Sequence, residues 1–294
     1  MEISIALALL ASAFLGIAVV IANVGLRYLD PARGALVSIP STTLLFWLLA
    51  LFLFHGEGWN ATAFAVFAAV GLIFPALVTF LNFESNRLTG PTVAGTISST
   101  TPLFAVLGAI LFLGEPLSPA AMAGTAAIVL GVIALTARSA NRPRSWAAWV
   151  ILLPLAGAAI RGGAQAAVKG GLAMWPDPFV AALVGYTVSC ATIFAGNRAF
   201  ASRTSARVPR ASAPPDRRGI LWFVAVGICN GLGVLAMYAA LNGGRVSVVS
   251  PLVATYPLFT LALSALVLRQ EKFAPRVLLG VALTVAGVVV LARA

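Results

Sequence analysis

The chain has 294 residues, 61% of them hydrophobic and 9% charged, and its mean hydropathy is +1.01. A soluble fold needs about a quarter of its residues charged to hold a solvated surface, so the composition excludes one and marks an integral membrane protein. The formal net charge of +11 does not call for nucleic acid, because the basic residues segregate by loop in the manner of a membrane protein.

Hydrophobic runs of about 20 residues, enough to cross roughly 30 Å of hydrocarbon, occur at 3–27, 34–54, 61–83, 91–113, 118–137, 146–168, 179–197, 220–241, 247–268 and 275–292. They read as continuous Ala, Leu, Val, Gly and Ile rather than the alternating polarity of barrel strands, which predicts an all-α protein of ten spans. The first run is too long for a secretory signal and lacks a basic leading segment, so it is expected to stay as a span. Cys190 and Cys229 fall inside spans 7 and 8 as packing residues, and His55 falls in a loop.

Loops 1–2, 3–4, 5–6, 7–8 and 9–10, with their span ends, carry Arg27, Arg33, Arg87, the cluster Arg138 to Arg144, the cluster Arg198 to Arg218, and Arg269, Lys272 and Arg276. The other side carries only Lys169, Arg245 and Arg293. The positive-inside rule makes the arginine-rich side cytoplasmic and puts both termini outside. Trp59, Trp146, Trp149, Trp175 and Trp222 sit at predicted span ends, the level that indole rings prefer. The stretch Arg198 to Arg218 reads as a connector.

Two halves repeat. Thr100-Thr101-Pro102-Leu103-Phe104 recurs 155 residues later as Thr255-Tyr256-Pro257-Leu258-Phe259, and Gly124, Gly131 and Leu135 recur 156 later as Gly280, Gly287 and Leu291. The polar segment Arg138 to Ser145 divides the chain into a first unit, 1–140, and a second, 141–294. Five spans is an odd number, so the second unit enters the membrane inverted. The expected architecture is ten transmembrane helices in an inverted 5+5 repeat around a central cavity.

On these residues the chain resembles the ten-helix, EamA-type members of the drug/metabolite transporter superfamily. The resemblance rests on Pro102-Leu103-Phe104 through Leu113-Gly114-Glu115 with Gly124 and Gly131, and on Pro257-Leu258-Phe259 through Arg269-Gln270-Glu271 with Gly280 and Gly287. Within the superfamily it is most similar to the bacterial exporters of aromatic amino acids and related metabolites. The resemblance implies a multi-pass protein of the bacterial inner membrane whose partners are a small-molecule substrate and membrane lipids. It also implies cytoplasmic termini, against the arginine distribution. Small four-helix members couple to protons through a glutamate in their first helix, and the run from Ile3 to Arg27 has no acid.

Candidate site residues follow from polarity inside the spans. Pro102 and Pro257 each remove an N–H and clash with the carbonyl four residues back, at Ser98 and Val253; the freed carbonyls need partners such as Ser99, Thr100 and Thr101, or Thr255, Tyr256 and Thr260. Both prolines are candidate gating hinges; a plain structural kink is the competing reading. Arg161, Gln165 and Lys169 are spaced i, i+4, i+8 and form one polar stripe on span 6. A cation near mid-membrane costs about 2.5–3.5 kcal/mol, so Arg161 should face water or an internal partner; it is read as a carboxylate site with Lys169, or else as a structural group that bonds freed carbonyls. Asn82 and Tyr238 occupy equivalent repeat positions, and Tyr256 and Ser99 flank the prolines, completing the candidate substrate-binding set. One histidine and two separated cysteines give no metal cluster, and neither catalytic residues, a phosphate loop nor any cofactor is expected.

These features point to a secondary transporter exporting small amino-acid-like metabolites by alternating access. A channel-like facilitator pore and a non-transporting membrane scaffold or sensor are the competing readings.

Overall fold

The computed structural model describes residues 2–54, 58–89, 97–136, 148–203, 216–268 and 275–293. Its helices are α1 (Glu2–Gly25), α2 (Pro31–Leu53), α3 (Ala61–Ile73), α4 (Ala76–Thr89), α5 (Thr101–Leu113), α6 (Pro119–Thr136), α7 (Leu152–Met174), α8 (Pro178–Arg203), α9 (Arg217–Gly243), α10 (Val246–Val253), α11 (Tyr256–Leu268) and α12 (Pro275–Ala292). A single 3₁₀ turn, Ala148–Ile151, leads into α7. Among the described residues eight helical segments are long and apolar enough to cross a bilayer, and Thr101–Leu113 and Pro119–Leu135 are shorter apolar helices. The chain is an all-α, multi-pass membrane protein.

Helix starts are written in the sequence as a side-chain cap before the first turn. Asp30 accepts a hydrogen bond from the Arg33 amide at 3.0 Å, Asn60 from Ala63 at 2.9 Å, Ser118 from Ala121 at 3.1 Å, and Asp216 from Arg218 at 2.8 Å. Pro31, Pro119 and Pro178 open their helices, where a missing N–H costs nothing.

Two of the spans that differ from their outlines bear on the site directly. The third is broken: α3 ends at Ile73 and α4 begins at Ala76 after Pro75. A break inside the bundle exposes backbone groups that lipid cannot satisfy, and the buried Ser189 hydroxyl of α8 accepts from the Ala76 amide at 3.0 Å. The sixth span runs on to Met174 rather than 168, which carries Lys169 inside the helix. Trp59, Trp149 and Trp222 are exposed at span ends as expected, whereas Trp175 is buried with its ring edge-on to Trp59, centroids 5.3 Å apart. His55 and Trp146 lie outside the described residues.

The repeat has a two-fold signature in side-chain detail. Helix α6 crosses α12 so closely that a Cβ on Gly131 would stand 2.8 Å from the Gly280 carbonyl oxygen, and one on Gly287 would stand 2.8 Å from that of Gly124. The same shift that carries Gly124 onto Gly280 carries Gly131 onto Gly287, so the two contacts exchange. Small residues permit this approach, which lets backbones pack in lipid where no hydrophobic force draws helices together. Gly71 closes on Gly185 and Val188 of α8, and its repeat partner Gly227 closes on Ser38 and Ser41 of α2. Across the fold α1 packs against α9 in one limb, α7 packs against α3 and α4 in the other, and α6 packs against α12.

Candidate functional site

Each half contains a helix interrupted just before its proline. Residues 97–98 are helical, Ser99 and Thr100 turn, and α5 begins at Thr101; in the second half α10 ends at Val253, Ala254 and Thr255 turn, and α11 begins at Tyr256. The Thr100 hydroxyl donates to the Ile97 carbonyl at 2.7 Å, and the Thr255 hydroxyl donates to the Leu252 carbonyl at the same distance. The Thr101 hydroxyl covers the Ser98 carbonyl at 2.7 Å, in line with the expectation that neighbouring hydroxyls satisfy it.

The prolines therefore act differently from the sequence expectation. Pro102 and Pro257 are the second residues of α5 and α11. An N–H at that position has no intrahelical acceptor, so its absence breaks nothing. The interruption ends two residues earlier, at Thr100 and Thr255.

Small residues on α1 and α7 press against the two restarts. A Cβ on Gly16 would meet Phe259, the Tyr256 carbonyl and the Thr260 amide; one on Gly162 would meet Phe104, the Thr101 carbonyl and the Ala105 amide. The three partners correspond one by one at the repeat spacing. This register matches α7 to α1 at 146 residues, so Arg161 stands where the first half has Leu15, and Lys169 where it has Asn23.

Along α7 the polar stripe borders several candidates. Gly157, one turn before Arg161, faces the Asn82 amide oxygen, which would lie 3.4 Å from an added Cβ. Arg161 is half-buried and, among the described residues, has no hydrogen-bond or ion-pair partner. Gln165 is buried and its Oε1 has no hydrogen-bond partner; the Ser250 hydroxyl of α10 is in the same condition. Lys169 donates from Nζ to the Leu241 carbonyl at 2.8 Å and to that of Asn242 at 3.3 Å, both at the C-terminal end of α9. Tyr238 is buried three residues before Leu241, and Tyr186, also buried, packs its ring edge-on to Phe46 at 5.4 Å. The structure thus sets Arg161, Gln165 and Lys169 along α7, with Asn82 beside Gly157 and the α5 restart beside Gly162, while Tyr238 lies on α9 three residues before a carbonyl that Lys169 takes. Tyr256 and Pro257 belong to the opposite limb, against Gly16 of α1.

The EamA-like transporter family matches residues 2–137 and again 145–293. The chain belongs to the EamA-like transporter family. It is a multi-pass membrane transporter of small molecules, in a family of transporters rather than enzymes. No curated protein matches it. A protein known by a crystal structure is similar over 98% of this chain and 94% of its own, with 19% sequence identity and a TM-score of 0.74, which shows the fold.

Three site features of this EamA-like transporter escape sequence reading. Glu115, seen from sequence only as an acidic turn after α5, reaches into the other half: its Oε1 accepts from the Val246 amide at 2.8 Å, and its Oε2 from the Ser247 amide at 3.1 Å and hydroxyl at 3.0 Å. The signal was present in a helix start lacking its own cap, since Arg245 at the N-cap makes no capping bond. Ser12 and Ser250 lie in apolar runs where a single serine carries no pattern.

A cleft lies away from the stripe. It is about 320 Å³, almost entirely apolar, and lined by Leu9, Thr255, Leu258, Phe259, Val285 and Val289 among others.

Proposed function

We propose that this EamA-like transporter is a secondary carrier that exports small amino-acid-like metabolites across the bacterial inner membrane. The observation that carries the reading is the pairing, one turn apart on α7, of a half-buried guanidinium at Arg161 with a buried amide oxygen at Gln165, neither of which has a partner among the described residues. An amino acid offers the complement: a carboxylate for the cation and an ammonium for the acceptor, each recognised more strongly where water is excluded. Asn82 and Tyr238 extend the same polar lining, and Ser250 adds a second acceptor.

Alternating access in this reading is a rocking of the two halves about the α6–α12 contact, with the restarts at Pro102 and Pro257 as hinges. The interrupted helices support it, because non-helical backbone at membrane depth is tolerated where it lines a cavity or is buried in protein. Counterflow in proteoliposomes loaded with unlabelled amino acids tests the proposal. Saturable, competable exchange of at least one labelled amino acid is expected, and lost in Arg161→Ala. Flux that rises linearly with concentration and shows no counterflow would replace the carrier with a pore.

A further inference from the structure

The start of α10 presents an unusual problem. All eight of its residues, Val246 to Val253, are buried, so the free N–H groups of its first turn have no route to bulk water. Every helix leaves such groups unpaired, and a buried unpaired donor is strongly unfavourable. Its own N-cap residue, Arg245, supplies no side-chain acceptor for the Val246 and Ser247 amides. The acceptor comes from the other half of the protein, as the Glu115 carboxylate, which takes the Val246 and Ser247 amides together with the Ser247 hydroxyl.

On the other side of the same hairpin, α9 ends with unpaired carbonyls, and the Lys169 ammonium takes those of Leu241 and Asn242. An anion therefore sits on the positive end of α10 and a cation on the negative end of α9, the favourable sense for both helix dipoles. Three separate parts converge on one turn: the α5–α6 connection, α7, and the α9–α10 hairpin.

We infer that Glu115 and Lys169 form a latch that holds the arginine-poor face of the transporter closed, and that the latch must open for that face to admit or release cargo. The mechanical grounds are the ends of α10. It is a short rod bounded by the Gly243–Arg245 turn and by the break at Ala254 and Thr255, so it moves as a unit once its capped end is freed. Glu115 belongs to the first half and α10 to the second, so relative motion of the halves must break these bonds. The counterpart of Lys169 in the first half is Asn23, which is exposed; the lysine thus marks one face only. The inference rests on the carrier reading, but its test does not require a known substrate.

The test uses the full chain with Cys190→Ser and Cys229→Ser and a reporter at Ser250→Cys, a position 1% exposed in the closed arrangement. A membrane-impermeant maleimide is applied to sealed vesicles of each orientation. Releasing charge-assisted hydrogen bonds shifts a two-state equilibrium by roughly tenfold, so Glu115→Ala should speed labelling from the arginine-poor face by about that factor and leave the opposite face unchanged or slower. Glu115→Gln, which keeps the side-chain volume and one acceptor oxygen, should give a smaller increase, and it carries the test if the alanine variant does not accumulate. Lys169→Ala should act in the same direction. Unchanged labelling in both Glu115→Gln and Lys169→Ala, or an equal rise from both faces, would overturn the latch. One-sided acceleration, with no counterflow on any substrate by the unsubstituted chain, would refute the carrier reading and leave the latch standing.

Discussion

The Ser12 hydroxyl lies 2.9 Å from the Thr255 hydroxyl, joining residues 243 apart and tying α1 to the break between α10 and α11. Because Thr255 already donates to the Leu252 carbonyl, Ser12 is the donor in this pair. The bond is buried and holds the break against the helix that presses on its restart.

Removing one partner leaves the other unsatisfied. Ser12→Ala is expected to lower stability by about 1–2 kcal/mol, and Ser12→Ala with Thr255→Val by less than the sum of the two single changes. Thermal unfolding in detergent of the two single variants and the double variant reads the coupling; simple additivity would mean that the hydroxyls do not interact.

The α6–α12 crossing predicts a sharp contrast among glycines. A Cβ on Gly131 would stand 2.7 Å from the Thr284 amide nitrogen, which is backbone and does not yield, whereas one on Gly163 meets nothing within 4 Å. Gly131→Ala should cost about 1–3 kcal/mol by overpacking, while Gly163→Ala should be neutral or gain up to about 1 kcal/mol from helix propensity. Melting temperatures of the two variants decide it, and equal effects would contradict the crossing.

At the α3–α4 break, Ser189→Ala withdraws the acceptor of the Ala76 amide. A buried donor left without a partner costs about 1–3 kcal/mol, so this variant should melt earlier than wild type. Hydrogen exchange should report the loss locally, at Ala76, with α12 unaffected.

Arg161→Ala should reduce counterflow at least tenfold while the melting temperature holds or rises, because among the described residues the guanidinium makes no bond that its loss would break. Arg161→Lys keeps the charge but not the planar fork, and should recover only part of the activity. Full activity in Arg161→Ala would remove the residue from the site.

Orientation has its own measurement. A phosphatase that is active only outside the cytoplasm, fused after Ala294, should be active if the arginine distribution governs. Activity confined to a cytoplasmic reporter would instead favour the arrangement implied by the family resemblance.

Composition and span length sufficed for the membrane, the helices and the inverted repeat, because lipid permits so few alternatives: a long apolar run must be a helix, and an odd number of spans must invert its copy. The glycines at 124, 131, 280 and 287 were legible as close contacts for a related reason, since only small residues let backbones meet. The polar stripe on α7 was legible as well, because helical periodicity alone aligns Arg161, Gln165 and Lys169.

Tertiary structure decided what each of those polar groups meets. Three residues equally spaced on one helix have three fates: Arg161 keeps its hydrogen-bonding capacity, Gln165 retains a buried free oxygen, and Lys169 is taken up by the end of α9. The prolines, prominent in the sequence, occupy positions where they break no bond, and the interruption belongs to Thr100 and Thr255. Glu115, 131 residues from the amide it caps, was invisible for the plainest reason. A hydrogen bond between halves depends on how two helix ends are brought together in space, and neither periodicity nor composition records that distance.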